Sequence, residues 1–214
     1  MNTNDKITNI LKDFLLAVAA GMAIALGGIA FLSAPNKAVG SIYFAIGLFT
    51  VCYFKLNLYT GKVCYVFDNK PSYIGKLATI LAGNFVGATL IGAIASFTRL
   101  SSTLGDTVTA VANTKLGDNL LSIFILAILC DICIFIAVDG YAKAEHGVIK
   151  ITALLFGVAV FVLCGFEHCV ANMFYFTFAN VWSWKALLYM LVMIAGNSVG
   201  GVILPLILKA TKKE

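Results

Sequence analysis

The sequence predicts an all-α integral membrane protein: six transmembrane helices in an inverted three-plus-three repeat, with the second and fifth helices broken. Three observations carry that expectation. Of the 214 residues, 61% are hydrophobic and 12% charged, against about 25% charged in an ordinary soluble domain, and the mean hydropathy is +0.96. The apolar stretches are long enough to cross a hydrocarbon core of about 30 Å, which takes about 20 helical residues. A Gly-Asn element also occurs twice, once in each half of the chain.

The first span is expected over Ile10–Ser33, with a turn at Ala34-Pro35-Asn36-Lys37. The next apolar region, Val39–Phe67, is too long and too interrupted for one plain helix, because Lys55, Asn57, Thr60, Gly61 and Lys62 break it. The third span runs over Leu77–Phe97. A polar connector follows, Thr98–Asn119, with room for a short surface helix. The fourth span covers Leu120–Val138, then Asp139–Gly147 is polar. Val148–Val181 would measure roughly 50 Å as one helix at about 1.5 Å per residue, which exceeds the bilayer, so a break is expected at Gly165–Cys169. The sixth span is Lys185–Leu208, followed by a charged tail. This gives a single channel-like domain with halves 1–97 and 120–214 and a connector at 98–119. Met1–Lys12 is polar, and no cleavable signal is expected there.

An even number of spans puts both termini on one side. Taking that side as cytoplasmic, Lys6, Lys12, Lys62, Lys70, Lys76, Lys143, Lys150, Lys209, Lys212 and Lys213 are inside and Lys37, Arg99, Lys115 and Lys185 outside. That bias follows the positive-inside rule and predicts a cytoplasmic membrane location. The net charge of +5 therefore speaks to topology rather than to nucleic acid. The six cysteines lie in or beside apolar segments. Cys130 and Cys133 form C-x-x-C, which lacks the companion ligands of a metal or redox centre and is read as packing.

Gly83-Asn84-Phe85-Val86-Gly87 in span three recurs as Gly196-Asn197-Ser198-Val199-Gly200 in span six, 113 positions later. Small residues at this spacing let helices approach closely. The same offset carries His168 back to Lys55, so the two broken regions correspond. Each half has an odd number of spans, which makes the repeat inverted. Such repeats place a site at mid-membrane, where broken helices aim backbone amides at a solute and favour anions.

The stretch Gly165-Phe166-Glu167-His168-Cys169-Val170-Ala171-Asn172-Met173 puts an acid, an imidazole and an amide into an apolar run. Ionisable groups at membrane depth cost about 2.5–3.5 kcal/mol each on insertion scales, so they commonly face a cavity or mark a pathway. His168 is the first candidate. Its reference pKa of about 6.5 suits proton exchange near neutrality, although a neutral ring that only hydrogen-bonds a solute serves as well. Asn172, four residues on, can orient the imidazole or cap the break. Glu167 is expected to bond backbone amides or another helix there.

These residues resemble the formate/nitrite transporter family over nearly the whole chain. Residues 165–173 are similar to the family's fifth-helix signature, Leu58-Tyr59-Thr60-Gly61 to its loop in the broken second helix, and the Gly-Asn-x-x-Gly elements to those of spans three and six. The resemblance implies an aquaporin-like protomer in a homopentamer that conducts small monovalent anions (formate, nitrite or hydrosulfide), alone or together with protons, across the lipid bilayer without a cofactor or metal. It makes His168 the central pore histidine, Thr60 its partner across the pore and Lys115 the vestibule lysine. It also places apolar collars at Phe44, Leu48, Leu58, Tyr59, Ile134 and Phe161. Asp131 stands where the family has a pore asparagine, and Lys55 and Asn57 where it commonly has a small residue and a glutamate. These departures alter the charge near the pore.

Each of these positions also has a plainer reading. Thr60 can bond its own backbone, Lys115 can be a solvated loop lysine, and Lys55 can snorkel toward an interface. Asp131 is expected to pair with Lys55 or Lys115, since an unpaired buried carboxylate is expensive. The aromatic run Phe174–Phe178 suits lipid or subunit packing. Two other functions remain: a membrane-embedded enzyme using Glu167 and His168 as acid and base, and a neutral-solute pore of aquaporin type, for which no Asn-Pro-Ala pair exists.

Overall fold

The computed structural model describes residues 3–211, with side chains from Ile7 onward. Lys212 and Lys213 and the side chain of Lys6, all counted in the topology, lie outside the described residues. The helices are α1 (Thr3–Leu32), α2 (Lys37–Tyr53), α3 (Tyr59–Val63), α4 (Tyr73–Ser96), α5 (Leu100–Gly117), α6 (Leu120–Lys143), α7 (Gly147–Cys164), α8 (Cys169–Phe178) and α9 (Trp184–Thr211). One 3₁₀ turn, Val66–Asp68, precedes α4, and the described residues contain no strand. Five helices, α1 from Ile7, α4, α6, α7 and α9, are long and apolar enough to cross a membrane; α2 is apolar but shorter.

Local chemistry sets the ends. Asn36 caps α2 by accepting from the Val39 N–H at 3.0 Å, and Asn119 caps α6 by accepting from that of Ser122 at 2.9 Å, each meeting a donor that a helix start leaves free. Helix α2 stops one residue before Phe54, and Lys55 turns into the left-handed region at φ 54°. Helix α7 stops at Gly165, left-handed at φ 74°, a conformation open to glycine at little cost.

Helix α1 packs on α2 and α4, and α6 packs in the same way on α7 and α9. Between the two groups α2 lies on α7, α8 on α4 and α3 on α9. The closest crossings use the repeated glycines. A Cβ on Gly87 would fall on the Val18 carbonyl oxygen, and one on Gly200 on that of Ile128. Gly83 and Gly196 likewise abut Ala17 and Ala127.

The structure departs from expectation in two places here. The connector is a helix of 18 residues, α5, docked by the buried stripe Leu104, Val108 and Ala112, whose i, i+4 spacing lies on one helix face. The aromatic run of α8 faces inward: Phe174, Tyr175, Phe176 and Phe178 are all buried within the protomer. Phe174 lies against Gly28 of α1, where a side chain would collide with its ring. A ten-residue helix wedged between longer ones buries all its faces, so lipid packing is the wrong reading for this run.

Candidate functional site

The two asparagines of the Gly-Asn elements build the site. Asn84 Oδ1 accepts from the N–H of Tyr59, the first residue of α3, at 2.8 Å. Its Nδ2 donates to the carbonyls of Asn57 (2.9 Å) and Ala17 (2.8 Å). Asn197 repeats the pattern on α8, accepting from the Cys169 N–H at 2.9 Å and donating to the carbonyls of Glu167 and Ala127, both at 2.8 Å. The Asn57 and Glu167 N–H groups each donate 3.3 Å to the carbonyls of Leu16 and Leu126. The Tyr59 and Cys169 N–H groups and the N–H and carbonyl groups of Asn57 and Glu167 lie at the interruptions, outside any helical ladder, and would otherwise be unpaired in an apolar interior, at about 1–3 kcal/mol each.

This pairing corrects the register of the repeat. Tyr59 answers to Cys169 and Asn57 to Glu167, so the counterpart of His168 is Leu58, not Lys55. The 113-residue offset of the Gly-Asn elements shortens at the breaks because the links there differ in length. The residue pattern alone places the asparagines among the helix-packing residues. The signal for their larger role was there: an amide amid small residues opposite a helix break.

His168 caps α8, its Nδ1 accepting from the Ala171 N–H at 3.1 Å. A neutral ring whose Nδ1 accepts carries its hydrogen on Nε2, and Nε2 lies 3.1 Å from Thr60 Oγ1. The imidazole therefore donates to the Thr60 hydroxyl. The ring stacks on Phe161 with centroids 5.6 Å apart, and Phe161 meets Phe44 edge-on at 5.7 Å. His168 is 2% exposed and Thr60 fully buried.

Lys115, in the last turn of α5, forms an ion pair of 2.7 Å with Glu167; their side chains are 11% and 4% exposed. Glu167 also accepts from Asn172 Nδ2 at 2.6 Å, and Asn172 contacts Met193 Sδ at 3.0 Å. Asn172 thus holds the carboxylate and neither orients the imidazole nor caps the break, since His168 caps α8. Of the two partners expected for Glu167, backbone amides or another helix, the structure shows the second, because α5 brings the Lys115 ammonium over the break. A cavity of about 230 Å³ opens here, lined by His168, Glu167, Lys115, Lys37, Phe44 and Phe161 among others. From the sequence alone Lys37 has a place only in the topology; that its ammonium reaches the space beside Gly165 leaves no local pattern.

A second cavity, about 380 Å³, lies at the other end of the breaks and includes Leu58, Gly61 and Lys55. Leu48, Thr60 and Ile134 line neither cavity and are buried, as are Leu58 and Tyr59. The Tyr59 hydroxyl bonds Ser198 Oγ at 2.8 Å. Asp131 is 0% exposed, and neither carboxylate oxygen finds a hydrogen-bond partner among the described residues. The expected pairing fails because Glu167 takes Lys115 and Lys55 turns outward, exposed. Asp131 instead lies against Gly201, where a Cβ would meet its Oδ2. Asn57 donates through its side chain to Asp13 Oδ1 at 3.0 Å. All six cysteines are free, and among the described residues no group of three or more His, Cys, Asp or Glu side chains could hold a metal.

Long apolar helices around two interrupted ones, with a buried histidine and a buried ion pair at the interruption, define a multi-pass membrane protein of the transporter class. The chain belongs to the formate/nitrite transporter family, whose family model matches residues 3–211. It is 28% identical over 181 residues to the formate channel FocA of Haemophilus influenzae, covering 75% of this chain and 64% of that protein. It is 28% identical over 184 residues to FocA of Escherichia coli, covering 77% and 65%; the chain thus spans just under two thirds of these relatives. Among solved structures its fold matches an FNT family ion channel with a TM-score of 0.86 at 23% identity, over 97% of this chain and 93% of that one. It also matches a pentameric formate channel with formate bound, with a TM-score of 0.79 at 23% identity, over 95% and 97%.

Proposed function

We propose that the protein is a channel for small monovalent anions (formate, nitrite or hydrosulfide), acting as a homopentamer in the cytoplasmic membrane with both termini inside. The observation that carries this reading is the His168 Nε2–H directed at Thr60 beside a cavity that also holds the Lys115–Glu167 pair. The single domain is organised as six spans, α2–α3 and α7–α8 each counting as one broken span, in an inverted repeat of residues 1–97 and 120–214. The identical docking of Asn84 and Asn197 on the two breaks supports that symmetry.

An anion entering past Lys37 and Lys115 gains from their positive potential. It then meets Phe44, Phe161, Leu48, Leu58 and Ile134, where desolvating its charge costs far more than desolvating its neutral acid. The imidazole N–H and Thr60 hydroxyl are polar groups within that barrier. They can donate to the solute or exchange a proton with it, letting the neutral acid cross and linking flux to pH. Glu167 and Asn172 hold Lys115 over the break.

Flux of the three anions into proteoliposomes, with and without a pH gradient, tests the proposal in wild type and His168→Asn. Asparagine is also a good N-cap, so the variant keeps α8 capped while removing the ring. Conduction by wild type with loss of pH dependence in the variant supports a protonating histidine. Equal pH dependence in both makes it a lining group, and the absence of flux for every anion rejects the channel.

A further inference from the structure

We propose that the cavity at the mouth opposite Lys115 is a binding site for a soluble multivalent oxyanion of phosphate type, which blocks the monovalent anion's path while bound; this rests on the channel reading above. The cavity of about 380 Å³ is lined by Lys55, Lys62 and Lys150, with no aspartate or glutamate in its wall. Elsewhere on the same face, Lys76, Lys143 and Lys209 pair with Asp13, Asp139 and Asp68 at 2.9, 2.9 and 3.2 Å. Lys55, Lys62 and Lys150 form no ion pair among the described residues. Lys150 instead lies 5.9 Å from the ring centroid of Tyr141, another wall residue.

The three ammonium groups come from separate elements: the link after α2, the last turn of α3 and the first turn of α7. Lys55 holds the left-handed backbone conformation that a non-glycine residue adopts only under constraint. Three lysines from separate elements, none in an ion pair among the described residues, border one cavity with no acidic residue in its wall, and that cavity is the place where an anion would meet all of them. A monovalent anion would neutralise one of three charges, whereas a phosphate-type ion carries the charge and acceptor count to engage all of them, lysine being a common phosphate partner. The wall includes Leu58 and Gly61, on either side of Thr60, so an occupant sits directly against the central barrier. Its multiple charge prevents it from being desolvated through Leu48 and Leu58, so it plugs the path rather than passing.

The test uses the full chain in two measurements. Titration calorimetry of the detergent-purified protein with inorganic phosphate reads binding without reference to transport; wild type is expected to bind and the Lys62→Gln/Lys150→Gln variant not to. Formate flux is then compared in phosphate and in chloride at matched ionic strength, with phosphate on one face at a time. Simple mass action gives about a tenfold fall in flux at ten times the measured Kd, on the Lys62 face alone, lifted in the variant relative to its own flux in chloride. Absence of calorimetric binding, equal flux in the two salts, or equal inhibition from both faces overturns the proposal. Repeating the flux assay in zwitterionic and in phosphatidylglycerol membranes separates the sources: suppression by phosphatidylglycerol with no effect of free phosphate assigns the lysines to headgroups and overturns the soluble ligand. No flux in chloride with phosphate still bound rejects the channel reading and leaves the anion site standing.

Discussion

The Thr60 hydroxyl accepts a hydrogen bond from His168 Nε2 across 3.1 Å, joining residues 108 positions apart at the two helix interruptions. Both groups are buried, so Thr60→Val leaves the imidazole N–H without an acceptor. We expect a loss of about 1–3 kcal/mol, read as a lower thermal midpoint in detergent, together with reduced flux. Thr60→Ser, which keeps the acceptor, is expected to restore both. A valine variant as stable as wild type would mean that the ring finds another partner.

Asn84 and Asn197 each tie an amide and two carbonyls across a break. Substitution by leucine orphans two buried backbone groups at the break, the Tyr59 or Cys169 N–H and the Asn57 or Glu167 carbonyl, and removes a second donor from a carbonyl inside α1 or α6. Each variant is expected to lose about 2–6 kcal/mol and to fail to give a monodisperse peak in size-exclusion chromatography. Aspartate keeps the acceptor but not the donors and is expected to rescue little.

The Lys115–Glu167 pair should couple strongly. Lys115→Met leaves a buried carboxylate without its cation, at about 3–5 kcal/mol, cushioned by the bond from Asn172. Glu167→Gln costs less, because the ammonium still borders an open cavity. Combining the two substitutions is expected to recover at least half of the larger loss in a double-mutant cycle of thermal midpoints. Additive losses would show that the two groups act separately.

Asp131 offers the opposite sign. An acid with both oxygens unpartnered at 0% exposure destabilises the fold, and Asp131→Asn removes its capacity for charge at nearly the same volume. The variant is expected to be more stable by about 1–3 kcal/mol, measured by thermal unfolding. A fall in stability would show that the carboxylate is engaged in the membrane-embedded protein.

Much of this architecture was legible from residue pattern. Hydropathy gives the long helices, and the polar punctuation Lys55–Lys62 and Gly165–Cys169 gives the interruptions, because those signals are local. The partner of Glu167, and the lack of one for Asp131 among the described residues, do not show in the residue pattern. Which cation meets which acid depends on how α5 lies over α8, a relation set by Leu104, Val108 and Ala112 packing far from the charges. The register of the repeat was misread for a similar reason. A constant offset assumes links of equal length, while the hydrogen bonds of Asn84 and Asn197 fix correspondence at the breaks independently of the chain between. The inward face of Phe174–Phe178 was hidden because a run apolar on all sides looks the same in lipid and in a core.

The paired asparagines bear on how a solute could travel. Carriers that alternate access tilt one bundle of helices against another, which requires interfaces that can slide. Here each short helix is tied at its first turn to two neighbouring helices through one amide group: α3 to α4 and α1, and α8 to α9 and α6. All of these bonds lie within one half, so parting α3 or α8 from its own half would break three buried bonds per asparagine. On the proposed channel reading, each interruption is a fixed part of its own half, and passage is left to the fluctuation of single side chains rather than to movement of α3 or α8 within that half.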